Sequence, residues 1–230
     1  SGVLNGRAGM AEALSKRGYA LILPEGVPRA GRTQRDWSVS DGGRHPRQDI
    51  AFLDEIIADA AGRGVDTDRL MLAGFSRGGS MVWDVACQRP ALFRAYAPVA
   101  GAFWEPLPEA CAGPVDLFHV HGWDDKVVPL EGRPIGSRLM QGDVFAALGI
   151  LRRTMGCALR QPDDRSAAAW RWTRHWSQCQ AGGQIDFWLH PGGHVVPDTW
   201  LDAALPWFED RLAERTLPPA GAPRRKADAR

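Results

Sequence analysis

Residues 70–79 read LMLAGFSRGG, an apolar run that leads into the pattern Gly-x-Ser-x-Gly. The run Leu70–Ala73 predicts a buried strand, and Ser80–Gln88 predicts a helix that follows almost at once. So tight a turn predicts a strained backbone at Ser76, with glycine two residues before and two after because side chains there would collide. We therefore expect the Ser76 hydroxyl to project from the carboxyl end of a strand as a nucleophile. An ordinary glycine-rich turn is the alternative.

The rest of the chain alternates short apolar runs with stretches of helical periodicity. Strands are also predicted at Tyr19–Leu23, Ala95–Val99, Val115–Val120, Ala168–Trp176 and Ile185–Leu189. Helices are also predicted at Arg7–Lys16, Asp49–Ala61, Phe145–Arg153 and Thr199–Glu214. The stretch Val27–Pro46 is rich in Gly, Pro, Arg and Ser, which predicts a long surface loop. This order implies βαβ units and hence an α/β fold, with a mostly parallel central sheet flanked by helices.

Composition narrows the class of protein. The 230 residues carry a net charge of +1, and 44% of them are hydrophobic, which is ordinary for a globular domain. A nucleic-acid-binding protein normally needs a concentrated basic face, so we expect no nucleic-acid partner. The apolar runs are far shorter than the roughly 18 residues of a membrane span. We expect a catalytic domain over residues 1–216 and a disordered basic tail over residues 217–230.

A serine hydroxyl is a weak nucleophile, so it needs a histidine base and a carboxylate that orients the base. In the strand–turn–helix setting these groups follow in the order serine, acid, histidine. Asp124 and Asp125 follow one predicted strand, and His194 follows the next in the loop PGGH. Because carboxyl ends of parallel strands share one edge of the sheet, we predict that these groups meet at Ser76. Both carboxylates stay open as the acid on this reasoning.

The remaining histidines and the four cysteines do not indicate a metal site. His119 and His121 lie on one strand face, a placement that is more often structural than catalytic. His190 and His194 lie four residues apart, but Pro191–Gly193 forbids the helix that a zinc-binding HExxH motif requires. The cysteines form no Cys-x-x-Cys pair and allow three disulfide pairings. We expect neither a metal nor a cofactor.

Four segments together resemble the polyhydroxybutyrate depolymerase/feruloyl esterase group of α/β-hydrolases. They are Val65–Gly79, Ala97–Gly101, His121–Pro129 and Gly192–His194. The resemblance covers most of the chain, from about residue 18 to about residue 210. It implies the α/β-hydrolase fold and a serine esterase. In this group the acid stands two residues before Val-Val-Pro, which implies Asp125 here, with Asp124 as the alternative.

The resemblance also implies how the oxyanion is bound. One donor is the backbone N–H of Arg77. The arginine side chain is not required, because relatives often carry Asn or Gln at that position. The second donor comes from a His-Gly loop, which we expect upstream of Ser1. The chain would then be a fragment that lacks its N-terminal strands, and a natural truncation is the alternative.

Two further implications concern the cysteines and the compartment. The resemblance implies the disulfides Cys87–Cys111 and Cys157–Cys179. Paired cysteines favour a secreted or periplasmic location, with the cytoplasm as the alternative.

The substrate is the least defined part of the prediction. Trp104 and Trp123 lie in predicted loops that would border the site, and packing against the core is the alternative for each. The resemblance implies an ester of small or polymeric form, either a polyhydroxyalkanoate or hydroxybutyrate oligomer or a related aromatic or acetyl ester. A serine peptidase of the same fold and a non-catalytic binding protein are the competing hypotheses.

Overall fold

A computed structural model describes residues 7–28, 31, 33–38, 45–158, 161–168 and 171–216. The predicted tail and Trp170, part of a predicted strand, lie outside these ranges. The helices are α1 (Arg7–Lys16), α2 (Asp49–Gly62), α3 (Arg77–Gln88), α4 (Val144–Met155) and α5 (Trp200–Thr216). The strands are β1 (Val27–Pro28), β2 (Arg35–Asp36), β3 (Met71–Phe75), β4 (Ala95–Val99), β5 (Asp116–Gly122), β6 (Arg133–Ile135), β7 (Leu139–Gln141), β8 (Asp164–Ala168), β9 (Arg171–Trp176) and β10 (Gln184–His190).

The central sheet has six strands in the order β3-β4-β5-β10-β9-β8. The first four run parallel, and β9 and β8 continue the sheet as an antiparallel pair. Every residue of β4 is buried, as expected for a strand covered by helices on both faces. The mostly parallel sheet that the sequence predicts is therefore confirmed.

Helices cover both faces of this sheet and divide the core into two clusters. Apolar side chains of α2, α3 and α4 pack on one face, around Leu117 and Phe187. Side chains of α5 pack on the other face, around Phe118 and Val120. The sheet is thus sandwiched, so the carboxyl ends of its parallel strands are the edge on which loops can form a site.

The prediction of a strand at Tyr19–Leu23 is wrong. The chain has no regular structure from residue 19 to residue 26, and the side chains of Ile22 and Leu23 are 44% and 47% exposed. A strand needs the backbone of a neighbour, and within the described ranges no strand pairs with this segment or with the outer edge of β3. Instead, an apolar cavity of about 320 Å³ lies between Leu21 and Leu72, bordered by α1, α2 and α5.

The predicted long loop also differs in part from the structure. β1 pairs with β2 inside it, and β6 pairs with β7 further along the chain. Each of these strands has only two or three residues. So short a segment carries no periodicity, which is why the sequence did not indicate it.

Both disulfides that the resemblance implies are present. Cys87 in the last turn of α3 bonds to Cys111, and Cys157, just after α4, bonds to Cys179. Each disulfide fastens the end of a helix to a loop that leads into the sheet. None of the helices in the described part of the chain is long and apolar enough to cross a membrane.

Candidate active site

The turn between β3 and α3 places Ser76 in a strained conformation. Its φ is 58° and its ψ is −119°, a region that residues other than glycine rarely adopt. A Cβ at Gly74 would lie 2.4 Å from the carbonyl oxygen of Gly78, so the collision predicted at Gly74 is confirmed. The prediction of a collision at Gly78 is wrong, because outside its own helix and its chain neighbours the nearest atom to a Cβ there is Nε1 of Trp37, at 4.0 Å.

Neighbouring strands hold this turn close to the sheet. The backbone N–H of Ser76 donates to the carbonyl oxygen of Val99 at 2.9 Å. A Cβ at Gly79 would lie 2.6 Å from that same oxygen, and one at Gly101 would lie 2.4 Å from Gly79. Glycine at these two positions therefore lets α3 start directly against the loop after β4.

Three side chains that the sequence places far apart meet at this edge of the sheet. The Oγ of Ser76 lies 2.8 Å from Nε2 of His194, and Nδ1 of His194 lies 2.8 Å from Oδ2 of Asp125. The Asp125 side chain is fully buried, and that of His194 is 17% exposed. The ring of Phe75 lies 4.7 Å from the imidazole, centroid to centroid, and supports it from one side.

The hydrogen-bond partners of Asp125 determine which nitrogen of His194 carries the proton. Oδ1 of Asp125 accepts the backbone N–H groups of Val127 and Val128, at 2.9 and 2.8 Å. An ionised carboxylate can only accept, so Nδ1 of His194 carries the proton and Nε2 is left as the acceptor of the Ser76 hydroxyl. This tautomer is the one that a general base requires.

The loop after β5 that carries Asp125 (the acid loop) and the loop after β10 that carries His194 (the histidine loop) are bound to each other through their backbones. The N–H of Trp123 donates to the carbonyl of His190 at 2.7 Å, and that of Asp124 donates to the carbonyl of Gly192 at 3.1 Å. A Cβ at Gly122 would lie 2.2 Å from the carbonyl oxygen of Gly193. Close backbone contact at Gly122 thus sets the position of the loop that ends in His194.

Asp124 has a different environment from Asp125. It is exposed and pairs with Lys126 at 3.4 Å, and both side chains are in contact with solvent. The structure therefore brings Asp125, and not Asp124, to His194.

Arg77 lies at the start of α3 and joins three parts of the chain. As the first helical residue it has no acceptor for its backbone N–H within the helix. Its guanidinium donates to the carboxylate of Asp36 at 2.6 Å and to the carbonyl of Trp37 at 3.4 Å. The guanidinium also lies over the ring of Trp104, with Cζ 4.4 Å from the ring centroid. No feature of the sequence indicated Asp36, since its partner is 41 residues away.

The two tryptophans that were candidates for substrate binding differ in exposure. Trp104 is 9% exposed and packs beneath Arg77, whereas Trp123 is 63% exposed. The ring of Trp123 lies 6.2 Å from that of Trp172, also on the surface. Contact with substrate stays a prediction for both.

Two more histidines lie close behind the acid. Nε2 of His119 is 3.0 Å from Nδ1 of His121, whose Nε2 is 2.7 Å from the carbonyl oxygen of Val128. Burial lowers the pKa of His121 and holds that of His119 well below its ordinary value. Among the described residues, no three His, Cys, Asp or Glu side chains are grouped so that they would hold a metal ion.

Known proteins resemble this chain in both sequence and fold. Feruloyl esterase D of Neurospora crassa is 28% identical over 179 residues, which cover 75% of this chain and 52% of that protein. Feruloyl esterase C of Emericella nidulans is 32% identical over 125 residues, which cover 53% of this chain and 41% of that protein. The chain thus spans about half or less of the length of these relatives. No protein-family profile matches it.

The crystal structure of SOBER1 from Arabidopsis thaliana superposes with a TM-score of 0.56 at 17% identity, over 91% of this chain and 92% of that one. The chain has the α/β-hydrolase fold and is similar in sequence to the feruloyl esterases. The predicted fold class is confirmed. The depolymerase part of the resemblance and the second oxyanion donor upstream of Ser1 stay predictions.

Proposed function

We propose that the chain is a serine esterase that hydrolyses carboxylic esters through Ser76, His194 and Asp125. The observation that carries the proposal is the unbroken series of hydrogen bonds from the Ser76 hydroxyl through His194 to the buried carboxylate of Asp125, at 2.8 Å for each step. Similarity to feruloyl esterases supports the same reaction class.

The geometry supports a two-step acyl transfer. Ser76 Oγ attacks the ester carbonyl while Nε2 of His194 accepts its proton, and Asp125 stabilises the imidazolium that forms. His194 then gives the proton to the departing alcohol, which leaves an acyl-Ser76 intermediate. The same Nε2 next activates a water molecule, and the water releases the acid and restores the hydroxyl.

The tetrahedral oxyanion forms at the N-terminus of α3. The backbone N–H of Arg77 is the first donor, and the positive end of the helix dipole stabilises the developing charge. Loss of one such donor typically lowers kcat by about 10²–10³-fold.

The proposed substrates are esters of hydroxyalkanoate oligomers, or aromatic or acetyl esters. Trp104 is proposed as a wall of the acyl site because it packs on Arg77, next to the nucleophile. Trp123 lies just after β5, in the loop that carries Asp125, and is proposed to contact the alcohol side of a larger ester. Two disulfides favour an oxidising compartment, so we propose a secreted or periplasmic location.

The test is covalent labelling together with turnover. A fluorophosphonate probe is expected to label Ser76 of the full-length protein, and p-nitrophenyl acetate and butyrate are expected to be hydrolysed. Ser76→Ala is expected to abolish both. Ser166→Ala is the matched control, since Ser166 is an exposed hydroxyl on β8, the outermost strand on the side of the sheet away from β3. This variant is expected to change neither the labelling nor the hydrolysis.

Three results would contradict the proposal. The first is full-length wild-type protein that the probe does not label, and the second is a Ser76→Ala variant that hydrolyses as fast as wild type. The third is faster turnover of an anilide than of the ester with the same acyl group, which would favour a peptidase.

A further inference from the structure

A pair of buried histidines on β5 has no role in the acyl transfer described above. Neither His119 nor His121 has measurable exposed surface. The two imidazoles and the carbonyl of Val128 form one series of hydrogen bonds, at 3.0 and 2.7 Å. This series ends on the same loop that carries Asp125.

The acceptor at the end of the series fixes both tautomers. A carbonyl oxygen can only accept, so Nε2 of His121 carries a proton. Burial lowers the pKa of His121, which keeps its ring neutral. Its Nδ1 is then an acceptor, and Nε2 of His119 is the donor that faces it. Each ring is thereby held in a single orientation between the sheet and the acid loop.

Val128 is held from both sides by this arrangement. Its N–H donates to Oδ1 of Asp125 at 2.8 Å, and its carbonyl accepts from His121. Nε2 of His121 also lies 3.5 Å from Oδ2 of Asp125, the oxygen that faces His194. A shift of the Val128 peptide would therefore move one of the N–H groups that set the direction of the carboxylate.

We propose that His121 is a positioning residue, which holds the Val128 carbonyl and thereby keeps the Asp125 carboxylate directed at His194. His119 acts one step further back, by donating to Nδ1 of His121 and so holding that ring in place. This inference rests on the proposed function, because it assigns His121 an effect only on the triad. A misplacement of about 1 Å at a reacting group is expected to lower the rate by up to about 10²-fold.

Two polar variants at position 121 separate positioning from packing. In His121→Gln the amide nitrogen takes the place of Nε2 and still reaches Val128, whereas in His121→Asn it takes the place of Nδ1 and does not. We expect His121→Asn to lower kcat for p-nitrophenyl butyrate about 10²-fold, with KM unchanged within about twofold. His121→Gln is expected to stay within about fivefold of wild type. His175→Gln, at the other face of the sheet, is the control and is expected to keep wild-type kcat.

A second position and a second measurement protect the test against a variant that fails to fold. His119→Met removes the donor to His121 and is expected to lower kcat roughly tenfold, as for the loss of one hydrogen bond. The low-field proton NMR signal of the His194–Asp125 hydrogen bond is expected to weaken in His119→Met and His121→Asn and to persist in His121→Gln.

The outcomes distinguish this inference from the function on which it rests. A wild-type chain that no phosphonate labels contradicts the esterase itself. A labelled wild type, with folded His121→Asn at wild-type kcat and an unchanged low-field signal, overturns the positioning role alone.

Discussion

Asp125 uses its two carboxylate oxygens for different purposes. Oδ1 accepts two backbone N–H groups, and Oδ2 faces Nδ1 of His194 at 2.8 Å. In Asp125→Asn the amide would keep the first set of contacts but would present N–H groups to Nδ1. The imidazole would then hold its proton on Nε2, where it cannot accept one from Ser76.

We therefore expect Asp125→Asn to lower kcat by about 10⁴-fold with little effect on folding. Asp124→Asn is the matched control, since Asp124 is exposed and contacts Lys126, and it is expected to keep wild-type kcat. Steady-state hydrolysis of p-nitrophenyl butyrate by both variants measures the difference. Equal losses in the two variants would rule out the assignment of Asp125 as the acid.

The two glycines that flank the nucleophile have unequal steric requirements. In Gly74→Ala the new Cβ would meet backbone at 2.4 Å, whereas in Gly78→Ala it would have 4.0 Å of clearance. We expect Gly74→Ala to lower the free energy of unfolding by about 1–3 kcal/mol and to slow labelling of Ser76. Gly78→Ala is expected to keep the label and to add roughly 0.5–1 kcal/mol of stability, because alanine favours helix.

Urea unfolding and the rate of phosphonate labelling measure both effects. If the two variants behaved alike, the difference in clearance at the turn would not control its conformation.

The sequence pattern identified Ser76, His194 and the pair Asp124 and Asp125 as candidates because each follows a strand that an apolar run predicts. The choice of Asp125 over Asp124 came from the resemblance to known esterases. The sequence did not identify a role for His121, because its partner is the backbone carbonyl of Val128, which no residue type reveals. Asp36 was missed for the same kind of reason, since its contact with Arg77 exists only in three dimensions.

At the scale of single elements, prediction succeeded where burial on both faces leaves a continuous apolar run. β4 and β5 are such strands, and both were predicted. β8 was missed because all five of its residues are exposed. The segment at residues 19–23 shows the opposite error, since an apolar sequence does not form a strand without a neighbour that pairs with it.

Helix α5 is fastened to the sheet by a polar contact at Asp186. This carboxylate accepts Nδ1–H of His175 on β9 at 2.8 Å and Nε1–H of Trp207 on α5 at 2.7 Å. The hydrogen bond to Asp186 raises the pKa of His175, with Asp163 adding to the shift, while burial and Arg211 oppose it.

This contact predicts a pH-dependent stability. Because the folded-state pKa of His175 is raised, its stabilising contribution is complete below about pH 6.5 and is lost as the pH rises through the folded value. Wild type is expected to exceed His175→Gln in free energy of unfolding by about 1 kcal/mol or less near pH 5.5, since the side chain is partly exposed. The difference is expected to shrink by pH 8.5.

Urea unfolding of the two proteins across this pH range measures the effect. A difference that grows with pH would contradict the assignment. Asp186→Asn serves as a second variant, because it removes the partner and is expected to remove most of the pH dependence with it.

At the scale of the whole molecule, the candidate site exists only because three strands end at one edge of the sheet. Ser76 follows β3, Asp125 follows β5 and His194 follows β10, so 118 residues separate the proposed nucleophile from its proposed base. Groups assembled in this way act as one unit. Once the nucleophile is absent, a base that activates it has nothing left to contribute.

We therefore expect the effects of substitution to be non-additive. Ser76→Ala and His194→Ala are each expected to lower kcat by about 10⁶-fold, and the double variant is expected to lose no more than about threefold beyond either single variant. Hydrolysis rates of the three variants under identical conditions give the coupling directly. If the two side chains acted independently, the losses in kcat of the single variants would multiply in the double variant. A double variant several orders of magnitude slower than either single variant would therefore show that the hydrogen-bonded series is not the catalytic unit.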